Sequence, residues 1–255
     1  MFKNVISKRA IIYPLLMLSA MWFGYFLQMH GFFGSCFGAI IPLVPEGLLG
    51  IITAPLLHGN IDHIIGNSIP IAALMFLLYQ FYPLVANKVF ITGWIATGLL
   101  VWMLPPIDIM TGEYMYTCTI GASGVVYVLA FFLFFSGVFK WNMKLLTISL
   151  LVVLYYGSLV WGMLPEELFY NMQEPSKISW QAHLSGAIVG SIIAFIFKNI
   201  GEKKKKFIWE FPNYYSEKDD KLWQEYKENH PEDFMELPYK KRDDIWDHLD
   251  ELRKK

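Results

Sequence analysis

Six uncharged, apolar runs follow one another along the first four fifths of the chain. A helix needs about 20 apolar residues to cross a bilayer core about 30 Å thick, and each run approaches or exceeds that length. The runs cover residues 10–29, 64–82, 89–104, 115–139, 145–164 and 178–197. We therefore predict an all-α integral membrane protein with a bundle of six transmembrane helices over residues 10–198.

All Asp, Glu, Lys and Arg residues lie outside these runs, and the chain as a whole is 55% hydrophobic. Residues 1–9 form a predicted N-terminal segment, and residues 199–255 form a predicted soluble tail that is dense in Lys, Glu and Asp. Residues 243–255 place their apolar side chains on one helical face, which predicts a short amphipathic helix. The net charge of −1 averages two unlike parts, so it identifies no partner.

The distribution of basic residues in the loops predicts the orientation, because Lys and Arg favour the cytoplasmic side. Basic residues occur in the N-terminal segment, in the second and fourth loops, and at the start of the tail. The loops 30–62 and 105–114 have none, and the loop 165–177 has one lysine against three glutamates. We therefore expect a multi-pass protein with both termini in the cytoplasm, and we place it in the inner membrane of a bacterium.

Four consecutive lysines at residues 203–206 follow the last apolar run directly. Such a cluster resembles a nucleic-acid patch, but its position beside a membrane span favours an anchor at the cytoplasmic membrane surface. The expected partner is membrane lipid, and no nucleic acid is expected.

The loop 30–62 is too apolar for a solvated loop and too rich in Gly and Pro for a span. Its aromatic residues Phe32, Phe33 and Phe37 favour a segment that lies partly in the membrane interface. A loop packed against the helix bundle is the alternative, and the two interpretations overlap.

Cys36 and Cys118 are the two cysteines of the chain, and both fall on the outer side in this topology. Two cysteines provide neither a disulfide framework nor a metal site. We expect each to pack as a small hydrophobic residue in its apolar surroundings, and a bridge between them is left open.

Polar residues inside a membrane are costly and often mark a site. Four of them lie near the outer ends of three runs, at similar expected depth: His63, Asn67, Ser123 and His183. Taken singly, each has a structural explanation in helix–helix hydrogen bonding or packing. Together they suggest a serine activated by a histidine, with an imidazole and a carboxamide as donors to an oxyanion.

Zinc is the other common use of histidines in such a site. His58 and His63 are five residues apart, about 140° around a helix, so they would not share a face. The chain has no HExxH motif. We expect no metal and no cofactor.

Short motifs at three of the runs carry a resemblance to a known family. "GASG" at residues 121–124 is followed by Tyr127, and "AHLSG" at 182–186 is followed by Gly190. His58, His63 and Asn67 form the pattern H-x4-H-x3-N. In these motifs, and in the number and order of its spans, the chain resembles the rhomboid intramembrane serine proteases over about residues 10–198.

The resemblance implies a serine-type endopeptidase with a catalytic dyad. Ser123 would be the nucleophile and His183 the general base, while His63 and Asn67 would stabilise the oxyanion. The substrates would be single-pass transmembrane proteins, cleaved near the outer ends of their helices.

The resemblance also assigns residues that support the site: His58, Gly121, Gly124, Tyr127 and Gly186. His58 would brace the first-loop region, and Tyr127 would pack against His183. Gly186 would let the fourth and sixth spans touch, while the glycines around Ser123 and the small, polar run 117–119 suggest a helix that starts near the serine. Leu49-Gly50 stands where many members carry Trp-Arg, and Ala122 where many carry a bulkier residue.

Two further functions compete with a protease. A proteolytically inactive rhomboid-like protein would bind membrane clients, but such relatives typically lack the serine or the histidine, and both are present here. A six-helix transporter would be expected to show an internal repeat, and the two halves of this sequence show none.

Overall fold

The computed structural model describes residues 6–34, 36–105, 107, 112–164, 179–201, 220–235 and 252. It divides into two compact units, Met1–Lys204 and Lys205–Lys255. The helices are α1 (Lys8–Met29), α2 (Gly50–Thr53), α3 (Ile61–Phe81), α4 (Ala86–Met103), α5 (Ser123–Lys140), α6 (Met143–Tyr156), α7 (Trp180–Ile196) and α8 (Lys221–Asn229). Short 3-10 segments lie at Pro45–Leu48, Ala54–Leu56, Gly157–Met163 and Pro231–Phe234.

The all-helical prediction is confirmed, and each predicted run contains one helix of the first unit. Within the described residues, four helices are long and apolar enough to cross a membrane: α1, α3, α4 and α5. The apolar helices α6 and α7 are shorter, with 14 and 17 residues. The full count of six spans therefore stays a prediction.

α5 is the central helix of the first unit. In an apolar stretch of 18 residues, 67% of the residues of α5 are buried inside the protein, against 28%, 39% and 33% for the corresponding stretches of α1, α3 and α4. It packs most extensively against α7 and also contacts α3, α4 and α6. Because α5 is surrounded by protein, residues at its start can be held by several neighbouring elements at once.

One helix starts later than its apolar run, as the small, polar residues 117–119 predict, and one predicted helix boundary is wrong. The run 115–139 does not begin as helix, because residues 115–122 are non-helical and α5 starts at Ser123. The run 145–164 does not continue as one α-helix, because α6 ends at Tyr156 and a 3-10 segment follows from Gly157. Glycine is a poor helix former, which favours a change of helix type at that point, whereas the apolar run itself continues unbroken.

The loop 30–62 has features of both interpretations. Its inner side packs on α4, where the indole N–H groups of Trp94 and Trp102 donate to the carbonyls of Ile51 and Val44 at 3.0 and 2.8 Å. Gly50, in the Leu49-Gly50 pair, lies so close to the backbone of Ala39 that a side chain there would collide with it. The other side exposes large apolar residues, namely Phe32, Phe37, Leu43, Leu48, Leu49 and Ile52.

The expectation that the cysteines pack singly is wrong, because Cys36 and Cys118 form a disulfide. The bridge spans 82 residues of sequence, and the two Cα atoms are 5.5 Å apart. The backbones are brought together by two hydrogen bonds that pair Ile40 with Thr119, each with an N–O distance of 2.9 Å. The apolar surroundings of each cysteine in the sequence gave no information about this long-range pairing.

Removing the disulfide is expected to lower the stability of the protein. A bridge that closes a long loop typically contributes about 2–4 kcal/mol. The variant with Cys36→Ser and Cys118→Ser should therefore unfold at a lower temperature in detergent micelles. A reducing agent should lower the midpoint of the wild type towards that of the double variant and leave the double variant unchanged. A wild-type midpoint that is insensitive to the reducing agent would contradict the pairing.

The second unit contains α8, whose start is capped by Asp220, which accepts a hydrogen bond from the Trp223 N–H at 3.0 Å. Trp223, Tyr226 and Phe234 form an aromatic cluster between α8 and the 3-10 segment after it. The lysine cluster at 203–206 lies outside the described residues, as does the predicted helix over 243–255 apart from residue 252.

Candidate active site

The segment before Ser123 is held in a non-helical conformation by the loop 30–62. Thr119 pairs with Ile40 of that loop, and the Gly121 N–H donates to the carbonyl of Ala54 at 2.8 Å. α5 then begins at Ser123, with Ala122 as its N-cap residue. The predicted placement of Ser123 at a helix N-terminus is therefore confirmed. The partial positive charge of a helix N-terminus favours an anion beside it.

Gly121 is required by both its backbone and its surroundings. Its φ angle is +110°, a region that residues with side chains rarely adopt. A Cβ atom at this position would lie 2.6 Å from Cε1 and Nε2 of His63. The glycine therefore allows the segment before the serine to contact the histidine of α3.

His63 and Asn67 occupy the first two turns of α3. The side chain of Asn60 caps this helix by accepting a hydrogen bond from the His63 N–H at 2.8 Å. The Asn67 side chain is 5% exposed and donates from Nδ2 to the His63 carbonyl at 3.1 Å. The two residues share a helix face, as predicted, and both line the cavity described below.

His58 lies before α3 rather than within it. Its ring is 1% exposed and packs edge-on against His63, with ring centroids 5.0 Å apart. The prediction that the two histidines would not share a helix face does not keep them apart, because His58 lies before α3, which begins at Ile61. Among the described residues, no group of three or more metal-binding side chains forms.

Burial, together with the neighbouring His63, lowers the pKa of His58 from 6.5 to about 4. Its backbone N–H donates to the Gln28 side chain at 3.0 Å, whereas neither ring nitrogen has a hydrogen-bond partner within the described part of the chain. His58 is therefore a neutral, packed ring near neutral pH, which fits a bracing position.

Acidification is expected to destabilise the protein through His58. The unfolded chain takes up a proton on this residue below about pH 6.5, but the folded protein does so only near pH 4. Its contribution to stability is thus complete above pH 6.5 and is lost as the pH falls towards 4, by on the order of 3 kcal/mol. The measurement is the unfolding midpoint at pH 7.5 and pH 4.5. His58→Phe should show a smaller drop than the wild type, and an equal drop would contradict this assignment.

His183 is held on α7 by contacts from two other elements. The helix is capped by Ser179, whose hydroxyl accepts a hydrogen bond from the Ala182 N–H at 3.3 Å. The His183 ring stacks on Tyr127 of α5, with centroids 4.3 Å apart and an interplanar angle of 11°. Its Nδ1 lies 2.7 Å from the carbonyl oxygen of Gly162. The predicted packing of Tyr127 against His183 is therefore present.

Glycines allow α5 and α7 to approach each other closely beside these residues. A Cβ atom on Gly186 would collide with the Gly124 carbonyl oxygen and would lie 2.9 Å from the Cβ of Tyr127. A Cβ atom on Gly124 would lie 3.1 Å from a methyl group of Thr97 and 3.4 Å from the Ala182 carbonyl oxygen. The predicted contact of these two helices through Gly186 is therefore present.

A cavity of about 880 Å³ opens where α3, α5 and α7 begin. The lining side chains that are central to the chemistry are His63, Asn67, Ser123 and His183. Within the described part of the chain, no hydrogen bond joins the Ser123 hydroxyl to the His183 ring. Three helix N-termini thus surround one cavity lined by both polar and apolar side chains, and their dipoles favour negative charge on a ligand or intermediate.

Two contributors to this region were not found from the sequence. Asp62 supplies an acidic side chain to the cavity lining, and its position in the first turn of α3 was the available signal. Gly162 contacts His183 through its backbone carbonyl, and no side-chain pattern encodes such a contact.

A comparison with protein families identifies the architecture to which this site belongs. The family model described as the Rhomboid domain matches residues 45–200, which is more than half of the chain. The chain belongs to the rhomboid family. The resemblance inferred from the motifs is thereby confirmed, and all the candidate site residues of this rhomboid protein lie within the matched region.

Curated relatives of this rhomboid protein occur in mycobacteria. An uncharacterised protein of Mycobacterium tuberculosis is 35% identical over 159 residues, which cover 62% of this chain and 62% of the relative. An uncharacterised protein of Mycobacterium leprae is 30% identical over 173 residues, which cover 66% of this chain and 63% of the relative. The chain thus matches a little under two thirds of the length of these relatives.

Proposed function

We propose that this rhomboid protein is an intramembrane serine endopeptidase that cleaves transmembrane helices near their outer ends with a Ser123–His183 dyad. One observation carries the proposal: Ser123, at the N-terminus of α5, lines the same cavity as His183, and His183 is fixed by stacking on Tyr127. A nucleophile and a base that share a polar cavity between apolar helices provide the groups that amide hydrolysis requires.

In the proposed reaction the Ser123 hydroxyl attacks the scissile carbonyl carbon, and its proton passes to Nε2 of His183. The same imidazolium then protonates the leaving amine as the C–N bond breaks, and water later hydrolyses the acyl-enzyme with His183 again as the base. Among the described residues, the resting structure shows no hydrogen bond between the Ser123 hydroxyl and the His183 ring. Such bonds are often long in free enzymes and shorten when substrate binds.

The developing oxyanion would be stabilised at the start of α5. The Ser123 N–H lies at the first turn of that helix, and the helix N-terminus adds a favourable dipole. His63 approaches this backbone at Gly121, and Asn67 lines the same cavity. These groups match the oxyanion-stabilising roles that the family resemblance assigns to His63 and Asn67.

The orientation proposal has two independent supports. The loops at the cavity end are poor in Lys and Arg, which favours the outer side of the membrane. Cys118 lines the cavity and is bridged to Cys36, and disulfides persist in oxidising compartments. The site would thus face the exterior of a bacterial inner membrane, with both termini in the cytoplasm, and the mycobacterial relatives are consistent with a bacterial source.

The six-span topology is supported by the combined length of α6 and the segment after it. α6 rises about 21 Å over its 14 residues, and the seven-residue 3-10 segment Gly157–Met163 adds about 14 Å. The total is about 35 Å, which is enough to cross a bilayer core. This total supports the fifth span, and the 17 residues of α7 rise about 25 Å and approach that thickness as the sixth.

A client-binding rhomboid protein without proteolytic activity is the alternative. It would need no activated serine, whereas this chain holds both dyad residues at one cavity. The discriminating measurement is labelling of the purified protein by a fluorophosphonate serine probe. Labelling that is lost in Ser123→Ala supports the protease, and an unlabelled wild type supports the client-binding protein.

Cleavage is expected to depend on how easily the substrate helix unwinds. A scissile bond within a helix is shielded, and unwinding in hydrocarbon is costly unless Gly or Pro lowers the cost. We expect substrates with one spanning helix, a small residue at the cleavage point, and a helix breaker just below it. Replacing that breaker by Leu in a model substrate should slow turnover about fivefold for Gly and up to about 100-fold for Pro.

The matched control substrate keeps the helix breaker and carries a Leu→Ile change above the cleavage point, as far from it as the breaker is below. Turnover of each substrate is measured after co-reconstitution in liposomes. Equal turnover of the Leu-stabilised and original substrates would refute the unwinding model while leaving the serine chemistry intact.

A further inference from the structure

We infer that the backbone carbonyl of Gly162 positions the His183 ring and determines which ring nitrogen carries the proton. The carbonyl would then take the role that the third residue plays in a catalytic triad. The inference rests on the proposed function and adds to it a positioning residue outside the recognised motifs. Gly162 lies in the 3-10 segment after α6, whereas Ser123 and His183 begin α5 and α7.

The assignment follows from the chemistry of the contact. Nδ1 of His183 lies 2.7 Å from the Gly162 carbonyl oxygen, and a carbonyl oxygen can only accept a hydrogen bond. Nδ1 must therefore carry the proton in this arrangement. In a neutral imidazole the other nitrogen, Nε2, then holds the lone pair, and this lone pair is what a general base needs.

The surroundings of Gly162 restrict where this carbonyl can lie. A Cβ atom on Gly162 would collide with the Tyr127 hydroxyl and would lie 3.2 Å from Nδ1 of His183. Tyr127 in turn stacks on the face of the His183 ring. The ring is thus held on its face by Tyr127 and at its edge by the carbonyl, and only glycine at 162 fits the space between them.

Through this contact, the position of the Gly162 carbonyl in the fifth predicted span affects the orientation of the His183 ring. The 3-10 segment Gly157–Met163 presents a carbonyl sideways to α7. A displacement of this segment of about 1 Å would weaken the contact, and misplacement on that scale can cost about 100-fold in rate.

The first test reads the tautomer directly and does not depend on activity. The protein labelled with ¹⁵N at histidine is examined by NMR at pH 8, with the His183 signals assigned by their loss in His183→Asn. The expected result is a proton on Nδ1 of His183 in the wild type. A wild-type ring protonated on Nε2 at this pH would overturn the inference, even if the serine chemistry is correct.

The second test measures the rate of labelling by a fluorophosphonate probe. Gly162→Ala should slow labelling about 10- to 100-fold and shift the tautomer signal. Val160→Ala is the matched control in the same segment, because this side chain is exposed and does not face His183, and it should label at the wild-type rate. Labelling of Gly162→Ala at the wild-type rate would overturn the inference.

A double variant separates the positioning effect from general misfolding. Tyr127→Phe removes the hydroxyl that the new methyl group would strike while keeping the stacked ring. Gly162→Ala combined with Tyr127→Phe should therefore recover a large part of the labelling rate, relative to Tyr127→Phe alone. If the labelling rate of the double variant does not recover, and Gly162→Ala still carries the proton on Nδ1, then Gly162 has only a structural role and the inference is overturned. If Ser123→Ala labelled as well as the wild type, the proposed protease would fail and the tautomer result would stand separately.

Discussion

Ser123→Ala and His183→Ala are each expected to reduce cleavage of a transmembrane substrate by on the order of 10³-fold or more, while the protein stays folded and inserted. In the proposed dyad the nucleophile and the base act as a unit, so losing either should cost nearly as much as losing both. Both side chains lie at the ends of their helices, beside the cavity, and Ser123→Ala removes only a hydroxyl.

The measurement is turnover in liposomes together with the thermal midpoint of each variant. The chain offers matched controls for both residues. Ser136→Ala removes a buried hydroxyl from the same helix as Ser123, without a hydrogen-bond partner among the described residues. His30→Ala removes an exposed imidazole at the end of α1. Both controls should cleave at near the wild-type rate, whereas appreciable cleavage by Ser123→Ala would disprove the assignment of the nucleophile.

Gly186→Val is expected to inactivate the protein through packing rather than chemistry. The first carbon of any side chain here would overlap the Gly124 carbonyl oxygen and press on Tyr127, so α5 and α7 must separate. Overpacking of this kind typically costs about 1–3 kcal/mol. It also moves His183 away from Ser123, since the two residues lie within a turn of this contact. We expect a loss of turnover of about 100-fold or more and a lower thermal midpoint.

Ile188→Val provides the control on the same helix, because residue 188 is exposed rather than facing α5. It should leave turnover and thermal midpoint close to those of the wild type. Gly186→Ala should fall between the two, since it adds one carbon instead of three. Full activity in Gly186→Val would show that the close contact of the helices is not needed.

The parts of this protein that sequence could predict are those encoded locally. The apolar runs predict helices because burying a backbone in lipid requires internal hydrogen bonds. The start of α5 was predictable from Gly121 and the run of small, polar residues before it. Matching motifs placed Ser123 and His183 on different helices, and the glycines Gly124 and Gly186 explain how those helices approach.

The missed features depend on residues that are distant in sequence or on the backbone itself. The disulfide required a pairing of Ile40 with Thr119 that neither residue type specifies. The meeting of His58 with His63 depended on where α3 begins, which is set by the Asn60 cap. The contact of Gly162 with His183 uses a carbonyl that every residue possesses, and the glycine at this position does not by itself identify the partner of that carbonyl.

The Cys36–Cys118 bridge also has a consequence for the biogenesis of the protein. Cys118 is synthesised 82 residues after its partner, which at about 5–20 residues per second is a delay of several seconds. In the proposed topology, α3 and α4 lie between the two cysteines and cross the membrane before Cys118 reaches the outer side. The disulfide can therefore form only after α3 and α4 have entered the membrane. In a pulse-labelled sample, the time at which the disulfide appears would show when this part of the chain has been inserted. A chain arrested before Cys118 emerges would keep Cys36 in the thiol form.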